Sequence, residues 1–186
     1  AIIYLEKKLD PKSSAALDFA LATMYYQRGR LTRSSESYYT AIQKFPSFLR
    51  AHKNLGFVKL SLGKFKEAAS SLSKSISLGE GDGVTYVALG YCYYELEQFV
   101  SAENAYRMGI LLFPESKDAR NGLVNCLLET SRFPEALALL NELLSKEPEN
   151  VFCHRARAAA LQGLGNEKDA AVALEALRRM GNLNNN

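Results

Sequence analysis

Two histidines and three cysteines in 186 residues leave little from which to build a reactive site. His52 and His154 lie three 34-residue periods apart, which in a stack of repeats holds them too far from each other to act as a metal pair or as a base with its partner. Cys92, Cys126 and Cys153 lack the close pairing of a metal site. An odd number of helix-borne cysteines reads as reduced thiols packed as small apolar groups, which favours a reducing, cytoplasmic compartment, although a periplasmic protein can also carry unpaired cysteines. No glycine-rich phosphate loop is present. The one glycine cluster, Gly79–Glu80–Gly81–Asp82–Gly83, follows no strand and reads as a turn with extra freedom. No run approaches the roughly 18 apolar residues of a membrane span. No signal-peptide pattern is visible, although a chain that begins at Ala1 leaves a removed leader open. Strands, linkers and low-complexity segments are missing too. Neither catalysis, a cofactor nor a metal is expected. With 47% hydrophobic and 23% charged residues and a net charge of +3, the composition is that of an ordinary soluble protein.

What the chain does contain is a register. The stretch from Tyr86 to Pro114 carries Tyr86, Leu89, Gly90, Tyr93, Ala102, Tyr106 and Pro114. Steps of 34 residues from Gly90 land on Ala22, Gly56, Val124 and Ala158. Steps from Ala102 land on Ser34, Ala68, Ala136 and Ala170, and steps from Pro114 on Pro46, Glu80 and Pro148. An aromatic, then x2-L-G-x2-Y, then A-x3-aromatic and a proline at this period is the tetratricopeptide pattern. The chain therefore resembles the tetratricopeptide repeat family over nearly its whole length.

The physics of the slots stands beside the resemblance. A small residue in each helix of a pair lets two backbones approach. Val124 and Ser34 depart from the pattern and imply slightly wider contacts. Leu21, Leu55, Leu89, Leu123, Tyr38, Leu72, Tyr106 and Leu140 fill the space between helices and neighbouring repeats. Each repeat buries its apolar side only against the next. The expected fold is all-α: an α-solenoid of about five tandem helix-turn-helix repeats forming a right-handed superhelix. Repeats are expected at about 15–48, 49–82, 83–116, 117–150 and 151–182, with a polar tail at 183–186. Residues 1–14 read as the end of a preceding repeat or a capping helix, since Tyr4 falls 34 residues before Tyr38 and Pro11 lies one position off the Pro46 register. The chain reads as a piece of a longer protein. Ser14, Asp82, Ser116 and Asn150 share one slot and are good N-caps; Phe48 breaks the series, with Ser47 as substitute. Gly29, Gly63 and Gly165 mark the turns inside repeats, with Glu97 and Ser131 in the same slot. His52 and His154 share the slot of Tyr86 and read as packing rings with a polar edge.

Function is then expected from a surface. The resemblance implies that first helices line a concave groove through their second, fifth, sixth, ninth and twelfth residues. Among those slots, Phe19, Tyr26, Arg50, Lys53, Asn54, Phe57, Tyr91, Tyr94, Asn121, Asn125 and Arg155 are the candidate partner-binding residues. Aromatics beside Arg and Asn have the composition of binding surfaces, and an asparagine offers a donor and an acceptor to a peptide amide. The chaperone-tail clamp of the family needs Lys and Asn at set slots. Phe19, Thr23, Asn54, Val84 and Ala88 occupy them in one frame, and no other frame supplies the set. Residues 49–82 carry six Lys/Arg against three Asp/Glu, and residues 83–116 one against four. Arg50 and Lys53 could draw an acidic segment, whereas the acidic third repeat argues against a nucleic-acid track. The expected function is a protein-interaction scaffold that binds a protein or peptide segment in its groove, without nucleic acid or membrane insertion. The alternatives are a substrate-recruiting arm of a larger enzyme, and self-assembly through the ends at residues 1–9 or 167–180. A recruiting arm would carry an asparagine ladder at slot six, where only Asn54 stands.

Overall fold

The 34-residue register of small side chains reappears as the spacing of helices. The computed structural model describes residues 1–8 and 14–183, and every element among them is helical. Helix α1 (Ile2–Glu6) precedes five helix pairs. These are α2 (Ala15–Gln27) with α3 (Leu31–Lys44), α4 (Leu49–Ser61) with α5 (Phe65–Ser77), and α6 (Gly83–Glu95) with α7 (Phe99–Leu112). The remaining two are α8 (Lys117–Glu129) with α9 (Phe133–Lys146), and α10 (Val151–Gly163) with α11 (Glu167–Leu183). First and second helices both advance in steps of the period. Helix α11 continues into the segment read as tail; the rest of that tail, together with Leu9 and Pro11, lies outside the described residues. The pairs group into two compact units, Ala1–Glu115 and Ser116–Asn186. Within each unit, helices consecutive in the chain pack on one another. None of the described helices is long and apolar enough to cross a membrane.

The close approaches are real at the ladder positions. A Cβ placed on Gly56 would sit 2.6 Å from the Leu72 side chain, and one on Gly90 would sit 2.8 Å from the Tyr106 ring. Glycine is what lets these large side chains of the second helix lie on the backbone of the first. Ser34 fills its slot with a hydrogen bond. It is fully buried, and its hydroxyl donates to the carbonyl of Ala22 at 2.8 Å, stitching α3 to α2. Helix α1 is fastened by Ile2, buried against Leu21 and Tyr25, and by the Tyr25 hydroxyl, which donates to Glu6. Tyr4 is 64% exposed where its register partner Tyr38 is 1% exposed. Tyr38 has α2 to pack against, and Tyr4 has no paired first helix among the described residues.

The ends of the helices follow local chemistry. Asp82, Ser116 and Asn150 each accept the backbone N–H three residues on, at 2.8, 3.2 and 3.1 Å. Ser14 makes no side-chain cap, and neither Phe48 nor Ser47 caps α4 through a side chain; Ser47 only accepts the Leu49 N–H with its backbone carbonyl. The histidines do more than pack. The Nε2 of His52 lies 2.9 Å from the Pro46 carbonyl and that of His154 lies 2.7 Å from the Pro148 carbonyl. A carbonyl only accepts, so Nε2 carries the proton in both, and each ring latches the turn that leads into its repeat.

The turn inside every pair uses one left-handed residue. Gly29, Gly63 and Gly165 have φ of 67°, 69° and 73°, and Glu97 and Ser131 adopt 57° and 56° in the same slot. That conformation is costly for residues with a Cβ. Glu97→Gly and Ser131→Gly should each stabilise the chain by about 0.5–1 kcal/mol, net of the added freedom of the unfolded chain. Gly63→Ala should destabilise it. Urea denaturation midpoints for the three variants check the opposite signs.

Candidate functional site

Helices α2, α3 and α4 line a pocket among the groove candidates. It holds about 180 Å³ and is lined by Thr23 and Tyr26 from α2, Tyr38 from α3, and Asn54, Phe57 and Val58 from α4. Thr23 and Tyr26 fall one turn apart on α2, and Asn54, Phe57 and Val58 do the same on α4, so helical spacing brings both sets to one seam. Its walls are mostly aromatic and aliphatic, and its polar groups converge at one place.

Those polar groups form a directed chain. The Thr23 hydroxyl donates to the Phe19 carbonyl at 2.9 Å and lies 2.9 Å from the Tyr38 hydroxyl. Asn54 Nδ2 donates to the same Tyr38 oxygen at 3.1 Å. A carbonyl at the end fixes the direction: Asn54 N–H to Tyr38, Tyr38 O–H to Thr23, Thr23 O–H to Phe19. The asparagine amide is thereby oriented. Its nitrogen is committed inward, and its Oδ1, with one remaining N–H, stays available to a ligand. Tyr38 is 1% exposed and reads from the sequence as a space filler. Only its hydroxyl, in a slot where Leu72 and Leu140 stand elsewhere, hinted at this part.

Arg50 and Phe19 border the pocket. The Phe19 ring meets the Tyr38 ring edge-on at 5.4 Å and stacks on Phe48 at 4.9 Å, and the Arg50 guanidinium lies over Phe19 at 5.8 Å. Arg50, Asn54 and Phe57 form one stripe on α4. Lys53 belongs to a different arrangement. Its ammonium is 2.6 Å from Asp82 and 3.8 Å from Glu80, with 18% of the side chain exposed. Its charge ties α4 to the segment that starts α6. Burial works to raise the pKa of Asp82, yet the hydrogen bonds from Lys53 and Thr85 hold it below the ordinary carboxylate value. Lys59 is likewise 2.6 Å from Glu67. No carboxylate among the described residues pairs with Arg50.

The other candidates are placed differently. Tyr91 is 41% exposed and sets its ring edge-on to Phe65 at 5.8 Å; burial and the neighbouring Glu95 raise its pKa. Tyr94 meets Phe99 at 5.6 Å. In the unit from Ser116 onward, Asn121 is half-buried in a small cleft with Lys117, Arg120 and Glu147, Asn125 is half-buried and Arg155 is exposed. The three cysteines are buried free thiols. Burial pushes Cys92 up to about 11 and raises Cys153 as well, so these two thiols stay protonated at neutral pH. Among the described residues there is no group of three or more His, Cys, Asp or Glu that could hold a metal ion.

Helix pairs at a constant period, joined by a left-handed turn and packed through a ladder of small residues, define an all-helical repeat protein of the solenoid class. The family model for the tetratricopeptide repeat matches residues 110–164. Tetratricopeptide repeat-containing protein trd-1 of Caenorhabditis elegans is 32% identical over 123 residues, covering 66% of this chain and 16% of that protein. The Hsp70-Hsp90 organising protein of Plasmodium falciparum is 26% identical over 133 residues, covering 69% of this chain and 52% of that protein. The chain thus spans about half or less of the length of these curated relatives. Among solved structures, YrrB, a tetratricopeptide repeat protein described as having an unusual peptide-binding site, superposes with a TM-score of 0.85 at 19% identity, over 97% of this chain and 92% of that one. MamA superposes with a TM-score of 0.83 at 17% identity, over 89% and 91%. The family-model match, these relatives and the fold together support a tetratricopeptide repeat protein.

Proposed function

We propose that this protein is a non-catalytic interaction scaffold, and that the first-helix face of residues 1–115 holds an extended segment of a partner protein so that a complex can assemble. The observation that carries this reading is the oriented Asn54 amide at the mouth of an aromatic pocket. An asparagine held by a buried relay offers its acceptor and its spare donor to a peptide backbone without first having to be ordered, and the pocket beside it takes a side chain. Tyr26, Phe57, Phe19 and Arg50 complete the contact, Tyr91 and Tyr94 extend it along α6, and Asn121, Asn125 and Arg155 would serve a further contact on residues 116–186. YrrB is described as binding a peptide, which fits the same general role. The Plasmodium relative is named for organising Hsp70 and Hsp90. In this chain Phe19, Thr23, Val84 and Ala88 stand where a carboxylate clamp needs Lys, Asn and Arg, so the bound segment is an internal stretch rather than a chain terminus.

The test is selection from a random-peptide display library on the wild type and on Tyr26→Ala/Asn54→Ala. Both substituted side chains reach the surface, and helical circular dichroism checks that the variant folds. Peptides enriched by the wild type should lose at least about tenfold in affinity for the variant, the loss of one or two ligand hydrogen bonds and part of an anchor contact. Enriched peptides that bind both proteins equally would remove the groove face from consideration.

A further inference from the structure

We infer that the segment taken by this pocket is acidic, with a bulky aliphatic or aromatic side chain seated between Tyr26, Asn54 and Phe57 and an Asp or Glu two or three residues away paired with Arg50. The inference rests on the groove reading above and goes further by naming the ligand class. Three observations support it. The first is volume. A cavity of about 150 Å³ accommodates benzene, so a pocket of about 180 Å³ has room for one Phe or Leu side chain.

The second is charge. Among the cations of α4, Lys53 is held by Asp82 and Glu80, and Lys59 by Glu67. Arg50 is exposed, lies on the face of Phe19, and has no carboxylate partner among the described residues. An exposed guanidinium resting over a ring leaves its N–H fork open to a ligand, and a carboxylate is the group that fork fits in two-point fashion.

The third is spacing. Arg50, Asn54 and Phe57 rise along one face of α4 at about 1.5 Å per residue, which puts Arg50 about 6 Å from Asn54 and about 10 Å from Phe57 along the axis. An extended chain advances roughly 3.3 Å per residue. An anchor in the pocket therefore brings the side chain two or three positions away over Arg50, while the intervening backbone passes Asn54. A basic residue at that position meets Arg50 as a like charge. The polarity of the site also has a direction. Beyond the pocket, on α6, Tyr91 has Glu95 as its charged neighbour, so the acidic end of the ligand belongs at the Arg50 side.

Three fluorescein-labelled peptide pools test this by anisotropy. All share a background of mixed Ala, Gly, Ser, Asn and Thr. One carries a Phe or Leu anchor with Asp or Glu two and three positions away, the second has Lys in place of the acids, and the third has Ala in place of the anchor. The proteins are the wild type, Arg50→Glu and Tyr26→Ala, both changes being at exposed side chains. The wild type should bind the acidic anchored pool about tenfold tighter than either other pool, the equivalent of one charge-assisted hydrogen bond or one anchor contact. Arg50→Glu should reverse the preference between the acidic and Lys pools. Tyr26→Ala should weaken both alike. If Arg50→Glu leaves that preference unchanged while Tyr26→Ala weakens binding, the acidic class is overturned and the groove reading stands. If neither variant matters, or the wild type binds no pool at about 1 mM, the weak end of specific recognition, both readings fall.

Discussion

Replacing Lys44 by alanine should cost about 3 kcal/mol or more, the largest loss expected from any exposed or half-exposed side chain in the first repeat. Lys44 ends α3, and its ammonium lies 2.7 Å from a carboxylate oxygen of Asp18 in the first turn of α2. The Asp18 side chain is 4% exposed and that of Lys44 20% exposed. Removing the cation leaves a negative charge where water cannot replace the lost partner, and the desolvation cost then stands uncompensated. The free N–H groups of the first turn of α2 return part of it, about 0.3–1 kcal/mol. Changing both partners together, Asp18→Leu with Lys44→Met, removes both charges and should recover most of the stability. Lys117→Ala is the contrast. Its partner Glu147 is 2.9 Å away, but the two side chains are 64% and 42% exposed, and such pairs contribute less than about 1 kcal/mol. Urea denaturation of the four proteins decides the matter. A Lys44→Ala midpoint no lower than that of Lys117→Ala would mean that water reaches Asp18.

That ion pair also shows what the sequence could and could not tell. The helix starts were legible because a single physical demand, small residues where two backbones meet, repeats at a fixed period. Gly56 under Leu72 and Gly90 under Tyr106 are that demand satisfied twice. Glu97 and Ser131 could be placed in the turn slot by register, although neither residue type announces a left-handed conformation. Pairing of charges was not legible. Lys53 and Arg50 are three residues apart on one helix and look alike by composition, yet Asp82, the N-cap of α6, takes one and leaves the other. A count of charges per repeat cannot resolve this, because the partner comes from a different helix start. Hydroxyl direction was equally hidden. Tyr38 fills space as expected of a large second-helix residue, while its oxygen, through Asn54 and Thr23, sets the polarity of the pocket. The caps make the same point: Ser14 and Ser116 share a residue type and a slot, and only Ser116 closes on the N–H three residues ahead.

The pocket and the ion pairs together divide the first-helix face into parts that hold the fold and parts that remain open. Lys53, Tyr91 and Tyr94 sit in slots that the register assigns to the groove, but each already has a partner in its own unit, in Asp82, Phe65 and Phe99. Tyr26, Arg50 and the outward half of the Asn54 amide have solvent in front of them. A ligand gains most from groups that are already ordered and not yet paired, and on the proposed reading those groups are at the seam of α2 and α4.

A substitution at Gly83 should give the other large effect. The cluster Gly79–Glu80–Gly81–Asp82–Gly83 looks like a flexible turn by composition, but its three glycines meet different surroundings. Gly79 has φ of 102° and open space around it, so it is the one that needs glycine for its backbone. A Cβ on Gly81 would come 3.3 Å from the side chains of Ile76 and Tyr86, both of which can give way slightly. At Gly83, the first residue of α6, a Cβ would lie 2.6 Å from Cβ of Phe113, 3.1 Å from its backbone nitrogen and 3.3 Å from the Gly109 carbonyl. Backbone atoms cannot rotate aside. The Gly83→Ala chain has to push the start of α6 off the end of α7, which overpacks a contact that is equally tight from the other side, where a Cβ on Gly109 would lie 2.9 Å from the Val87 side chain. The expected cost is about 1–3 kcal/mol, against a small helix-propensity gain of under about 1 kcal/mol. Gly81→Ala should be close to neutral by the same reasoning. Denaturation midpoints separate the two cases: a clear loss for Gly83→Ala alone places the rigidity of the turn in the seating of α6 on α7, and equal midpoints would show that α6 can shift its first turn at little cost.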